Sequence, residues 1–310
     1  MARLGYIQIV RVCNQKCRFC SNPENGRELS LEQAKAHLDA FKAGGHDGVI
    51  LTGGEPTLHD GLPELIAYAR EVGLPARIIT NAQRTADRDY LLRLVEAGLT
   101  HMHVSVHSHR PALQAFLTGN RDSLANLIRT LHHLKKLPVT VDLNQTICAQ
   151  NADHIDESIR WFCERFEKIR HVSWNYLDPY QNRVAEHPDV IPRLADSEAS
   201  LLRAMRYLDG GGRTFRIEKL PLCYMGEFAH CSTETRKLVK HEDLSLQFLD
   251  ERGEVHVQIW YYGKALRCKT CRLEPICAGI WDIGGAYDPD EVRPRNDDPE
   301  PIIRKILNED

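Results

Sequence analysis

Strand-like and helix-like segments alternate through the first half of the chain, and that alternation narrows the possible folds more than any other feature. Runs rich in Val, Ile, Leu and Thr fall at residues 6–12, 48–52, 76–80, 103–106, 139–147 and 171–177. Helical patterns lie between them, at 31–43, 62–72, 87–97, 123–136 and 153–168. Strands separated by helices pair in parallel, with the helices covering the outer face of the sheet. In such folds ligands bind beyond the C-terminal ends of the strands. Cys13, Gly53, Asn81 and His107 each follow a strand, so all four are expected at that one end.

Six strand–helix repeats fall short of the eight that close a barrel. The expected fold class is therefore α/β, a partial (β/α)6 TIM-like barrel over residues 1–195. Helix ends are well marked. Ser30 and Gln33 form a capping-box pattern, and Gly44, Gly73 and Gly98 stand where helices should stop. Past residue 195 the pattern changes. A helix over 196–208 runs into Gly210-Gly211-Gly212, read as a flexible break, and a short strand follows near 215–217. Residues 244–249 and 254–260 flank Asp250-Glu251-Arg252-Gly253 and read as a β-hairpin. Residues 196–310 are expected to form a small C-terminal β-hairpin/helix domain with a Pro- and acid-rich tail.

The ten cysteines carry the chemistry. Cys13, Cys17 and Cys20 form a Cys-x3-Cys-x2-Cys run directly after the first strand. Three thiolates can hold three corners of a four-iron, four-sulfur cluster, leaving one iron open to a substrate or cofactor. Zinc sites more often pair Cys-x2-Cys with a second pair downstream. Disulfides do not suit a reducing compartment, which is the expected setting. The N-terminus carries no signal-peptide pattern and no stretch is apolar enough to cross a bilayer, so a cytoplasmic location is expected, with no membrane partner. A net charge of −3 gives no bulk reason for nucleic-acid binding.

After the second strand comes Thr52-Gly53-Gly54-Glu55-Pro56. Two glycines at a strand end permit close approach to the backbone, and Glu55 offers a carboxylate to a cation such as an ammonium. With the cysteine run and this motif in strand order, residues 6–177 resemble the radical S-adenosylmethionine (radical SAM) family. The resemblance implies that Cys13, Cys17 and Cys20 hold a SAM-binding 4Fe-4S cluster. It implies that Gly53, Gly54 and Glu55 bind the amino group of SAM and that Phe19 packs near its adenine. Thr80, Asn81, Ser105 and Asn144 are expected to line the cofactor site, Thr80 and Ser105 as the implied contacts. The alternative is that these are satisfied polar groups on a barrel rim.

A second constellation comprises Cys268, Cys271 and Cys277, with Cys223 and Cys231 upstream. Cys-x2-Cys-x5-Cys resembles the SPASM/Twitch extension of radical SAM enzymes, which binds auxiliary clusters. A full SPASM domain would place a cysteine where Trp281 stands. Five cysteines cannot ligate two cubanes, so one auxiliary 4Fe-4S cluster is expected. Cys223, Cys268, Cys271 and Cys277 are the favoured ligands, with Cys231 replacing Cys277 as the alternative and a structural zinc as the competing occupant. A spare Cys231 facing the substrate could return a hydrogen atom. Cys148 and Cys163 read as buried, inert thiols.

The family resemblance implies an enzyme that cleaves SAM to a 5′-deoxyadenosyl radical and oxidises or rearranges its substrate. A peptide or protein is the first expectation, as in a RiPP-type maturase. A small-molecule dehydrogenase or epimerase comes second, and an iron–sulfur carrier is the alternative outside enzymes. Only 12 residues precede Cys13, which leaves no room for a fused leader-binding domain, so a separate leader-binding protein is a possible partner. A reductant such as flavodoxin or ferredoxin is the other.

Overall fold

The computed structural model describes residues 3–22, 24–179, 182–242, 244–247, 249, 254–257, 262–281 and 283–308. The alternating elements are β1 (Leu4–Val10), α1 (Leu31–Ala43), β2 (Gly48–Gly53), α2 (Leu62–Glu71), β3 (Ala76–Thr80), α3 (Arg88–Ala97) and β4 (Leu99–Ser105). Two helices, α4 (Pro111–Thr118) and α5 (Ser123–Leu134), precede β5 (Thr140–Thr146). Then come α6 (Ile155–Arg165), β6 (Ile169–Asn175), the single turn α7 (Arg183–Glu186), α8 (Leu194–Gly210) and β7 (Thr214–Glu218). Adjacent strands from β1 to β7 pair in parallel and in sequence order.

The sheet runs further than six strands. β7 pairs with β6 through residues His171 to Asn175. Beyond α9 (Thr233–Lys240), β8 (Leu244–Gln247) pairs in parallel with β1 on the other edge, and β9 (Glu254–Val257) turns back antiparallel on β8. Eight parallel strands thus form a curled half-barrel of mixed α/β class, and the sheet draws strands from both sides of residue 195. Asp250, Glu251, Arg252 and Gly253, expected as the hairpin turn, lie outside the described residues, as does Trp260. The three glycines at 210–212 close α8 instead of loosening the chain. Gly211 N–H donates to the carbonyls of Tyr207 and Leu208, and Gly212 takes the left-handed φ of +65°.

The strand faces explain the curvature. Ile7, Ile9, Leu51, Ile78, Met102, Val104, Leu143, Val172, Trp174 and Ile217 alternate onto the helix-covered face and are 0% exposed. The capping box of α1 is complete, with Gln33 N–H on Ser30 Oγ at 3.2 Å and Ser30 N–H on Gln33 Oε1 at 2.9 Å. Gly98 ends α3 with φ +117°. After β9 come the short ladder β10 (Tyr262–Gly263) with β11 (Ile280–Trp281), and α10 (Pro299–Asn308). Leu273, Ile276, Ile280, Tyr287 and Val292 from this part join the barrel's own hydrophobic core. Among the described residues no helix is long and apolar enough to cross a membrane.

Gly5 sets the seat of α1 on β1, because a Cβ there would lie 2.4 Å from the Phe41 ring. Gly5→Ala is expected to cost about 1–3 kcal/mol in urea denaturation. Combined with Phe41→Leu it should cost clearly less than the two changes summed, because the smaller side chain frees the space.

Candidate active site at the strand ends

The cysteine loop leaves β1 and is tied down at both sides. Leu29 N–H reaches Ile9 O (3.0 Å) and Arg11 N–H reaches Arg27 O (2.8 Å). On the far side Lys16 N–H donates to Thr118 O (3.0 Å) and Arg18 N–H to Leu117 O (2.9 Å). The C-terminal end of α4 therefore fixes the loop. Gly119, with φ +63°, permits this, since a Cβ would meet Lys16 O at 2.9 Å. Sequence reading missed α4, although Pro111 at its start and Gly119 at its end are the usual punctuation. It also missed Gln114, whose Oε1 accepts the N–H groups of His107 and Ser108, both at 2.9 Å, and so holds the exit of β4.

Cys13, Cys17 and Cys20 are half-buried and free. Burial pushes all three thiols up, Cys13 to about 11, and the charges of Cys20 and Cys13 raise Cys17 further, as that of Cys20 raises Cys13. Arg183 pulls Cys17 and Cys20 the other way. Such thiols stay protonated until a cation compensates them, as a bound cluster would. Among the described residues no three His, Cys, Asp or Glu side chains converge as around a single ion. A cubane asks for something else, one thiolate per iron, which suits thiols spread along one loop.

The two glycines serve the chain itself. A Cβ on Gly53 (φ +136°) would lie 2.0 Å from Val10 O, and one on Gly54 2.3 Å from Val12 O. Their absence lets Gly54 N–H reach Val10 O (2.6 Å) and Glu55 N–H reach Val12 O (2.9 Å). Glu55 is 1% exposed and its carboxylate is nearly saturated. Oε1 accepts from Thr57 Oγ1 (2.6 Å), Thr80 Oγ1 (2.7 Å) and Thr57 N–H (3.1 Å), and Oε2 accepts from Asn81 N–H (2.8 Å). Burial raises its pKa and these four bonds oppose the rise. One lone-pair position on Oε2 is left for an incoming cation.

Asn81 links this anchor to the cluster loop, its Nδ2 lying 2.7 Å from Asn14 Oδ1 and 3.7 Å from Cys13 Sγ. Phe19 packs on His107 with ring centroids 4.3 Å apart, and against the small core of Leu117, Cys148, Leu177, Val184 and Val190. Ser105 and Asn144 are register partners, half-buried on the open face. Asn144 Oδ1 accepts from Asn175 Nδ2 at 2.7 Å, whereas the Ser105 hydroxyl has no hydrogen bond among the described residues. Cys148 and Cys163 are 0% and 1% exposed, with thiols pushed up by burial.

The second set of thiols meets elsewhere. Cys223, Cys268, Cys271 and Cys277 line one pocket, together with Leu222, Leu273, Lys264, Glu274 and Arg293. Three short turns, Leu222–Tyr224, Leu266–Thr270 and Glu274–Ile276, present them. Arg295 N–H donates to Cys271 Sγ at 3.3 Å. Burial raises Cys223 to about 11 and raises Cys268 and Cys277. Cys231 does not line this pocket; it is 5% exposed within the main hydrophobic core.

Residues 7–162 match the model of the Radical SAM superfamily, and the chain belongs to that superfamily. It is 36% identical over 173 residues to the Fe-coproporphyrin III synthase of Methanosarcina barkeri, covering 54% of this chain and 42% of that protein. It is 29% identical over 312 residues to the PqqA peptide cyclase of Bradyrhizobium diazoefficiens, covering 90% of this chain and 80% of that protein. In fold it is similar to Streptococcus suis SuiB bound to S-adenosylmethionine (TM-score 0.68, 17% identity, 94% of this chain and 77% of that one). It is also similar to anSMEcpe with bound AdoMet (TM-score 0.66, 12% identity, 98% of this chain and 96% of that one). The likenesses to the peptide cyclase and to both structures cover 90% or more of this chain.

His107 sits 4% exposed behind Phe19, and burial lowers its pKa from 6.5 to about 3. The unfolded chain therefore binds the proton first. The stability contributed by neutral His107 is complete above pH about 6.5 and is lost as pH falls toward 3. From pH 7.5 to 5.5 this single group should cost about 1.4 kcal/mol, read from urea midpoints, and His107→Gln should remove that part of the slope.

Proposed function

We propose that this chain is a SPASM-type radical SAM enzyme that modifies a peptide, with one auxiliary 4Fe-4S cluster assisting. The observation that carries the reading is the presence of two thiol sets of different completeness. Cys13, Cys17 and Cys20 stand on one loop at the strand ends, and Cys223, Cys268, Cys271 and Cys277 surround one separate pocket. The first set leaves one iron of a cubane for SAM, and the second can ligate every iron.

When bound, the cluster and SAM supply an electron and a 5′-deoxyadenosyl radical that removes a hydrogen atom from the substrate. The chain's own groups prepare the place. Glu55 keeps Thr80 and Asn81 fixed at the rim and retains one acceptor position for the amino group of SAM. Phe19 offers a ring for adenine, and Ser105 and Asn144 offer polar atoms on the open face. The four-thiol pocket is lined by apolar Leu222 and Leu273, with Lys264 paired to Glu274 and Arg293 paired to Glu198 at its wall. Cys223, Cys268, Cys271 and Cys277 would hold a cluster there that could supply one-electron redox chemistry. Cys231, the leftover candidate hydrogen donor, is buried in apolar core, so oxidation or cross-linking fits better than epimerisation.

The similarity to a peptide cyclase over 90% of the chain supports a peptide substrate. The reading places residues 1–195 and 196–310 as barrel and auxiliary parts, in a reducing cytoplasm that keeps the cysteines free. A flavodoxin- or ferredoxin-type reductant and a separate leader-binding protein belong to it.

Anaerobically reconstituted protein with SAM and dithionite should release 5′-deoxyadenosine and carry about eight irons per chain. Cys13→Ala should abolish the release. Cys268→Ala should lower the iron to about four and remove one cluster's spectrum while release continues. About four irons plus one zinc in the unaltered protein would refute the auxiliary cluster. No release from a protein with both clusters intact would refute the radical chemistry.

A further inference from the structure

The concave face of the half-barrel carries polar side chains beside Ile50 and Ile79, where a closed barrel packs mainly branched apolar ones. Tyr6 on β1, Arg77 on β3, His101 and His103 on β4, Asp142 on β5 and His171 on β6 all alternate onto it. All but Asp142 are half-buried, so this interior is reached by solvent. The outward neighbours Ile78, Met102 and Val172 are 0% exposed.

Arg77 is the group this interior leaves uncompensated. Among the described residues its guanidinium makes no hydrogen bond and no ion pair, and its Nε is buried without a partner. A guanidinium Nε shut off from water and left unpaired carries a cost, and a carboxylate that takes two of the guanidinium N–H groups is the usual remedy. Asp142, whose carboxylate feels the charge of Arg77, faces His103 instead, with Oδ2 lying 3.4 Å from His103 Nδ1. His103 Nε2 is likewise buried without a partner. The charge of Arg77 lowers His101 and His103 beyond what burial does and acts on Asp142, so these groups share one space.

We propose that Arg77 and His103 form an anion subsite inside the half-barrel that takes a carboxylate of the substrate. An anion between them would pair with the guanidinium and draw a proton to His103 Nε2, making a second donor. His103 lies two residues below Ser105 on β4, roughly 7 Å along the strand. That is about the reach of an acidic side chain, or of a chain end, from a peptide lying across the strand ends. The subsite rests on the proposed peptide chemistry for its substrate, but its occupation needs neither reduction nor SAM cleavage.

The test is isothermal titration of the anaerobic, reconstituted protein with three small probes. N-acetyl-isoglutamine carries only a side-chain carboxylate, N-acetylalanine only a chain-end carboxylate, and N-acetylglutamine amide neither. One or both carboxylates should bind, and the neutral amide should not. The stronger one identifies the source. Arg77→Gln should weaken binding at least tenfold, and Arg77→Lys should weaken it less. Absence of binding by either carboxylate, or binding unchanged in Arg77→Gln, overturns the subsite. If Arg77→Gln melts far below the parent, a crystal of the unaltered protein soaked with the tighter probe decides. Carboxylate density on the guanidinium supports the subsite, and an Arg77–Asp142 ion pair overturns it. Probe binding without 5′-deoxyadenosine release would leave the subsite standing and remove the radical reading, and the converse would do the opposite.

Discussion

The buried carboxylate of Glu55 organises the strand ends. It accepts four hydrogen bonds, from both donors of Thr57, from Thr80 and from the backbone of Asn81. Its own N–H is held by Val12 O. One residue thereby joins the exits of β1, β2 and β3. A carboxylate so far from water is tolerable only because nearly every lone pair is used, and it would destabilise the site if any donor were lost. Gly53 and Gly54 are the condition for this arrangement, since side chains there would collide with the backbone at Val10 and Val12. The motif that invites a ligand is first a device for bringing two strand ends into contact. Asn81 carries the effect onward to Asn14 and Cys13, so the cysteine loop inherits its position from the same anchor.

Much of this was legible in the sequence because short-range rules govern it. The alternation of strands and helices follows from local periodicity, and the capping box of α1 and the glycine stop of α3 formed as read. Residues at the strand ends came to one face because a parallel sheet leaves them no other place. What was not legible depends on long-range pairing. β7 and β8 are short, and nothing in four or five residues states that they will join the two edges of a sheet begun two hundred residues earlier. The glycines at 210–212 have the composition of a linker and the geometry of a helix end. The helix α4 escaped because its apolar pattern is brief, yet it is the element that pins the cysteine loop.

The four-thiol pocket was partly legible for a different reason. Spacing brings Cys268, Cys271 and Cys277 onto consecutive tight turns, so their meeting is local. Cys223 and Cys231 are eight residues apart and chemically alike, and only packing separates them. Cys223 stands on a turn whose neighbour Leu222 lines the pocket, while Cys231 ends a turn that buries Phe228 and Ala229 into the barrel core. What separates the thiol at the pocket from the thiol in the core is thus packing, not the motif.

The interior of the half-barrel puts the two cysteine sites in proportion. Clusters and SAM supply reactivity that is indifferent to the substrate's identity, and members of one superfamily share it. Selectivity has to come from surfaces that the reacting groups do not occupy. Here the cysteine loop and Glu55 stand beyond the strands, while the strands beneath carry arginine, histidine and aspartate side chains on the concave face. Leaving the Nε of Arg77 buried without a partner in that space costs stability without a ligand. The cost is understandable if discrimination between substrates is exercised there, below the rim, by charge.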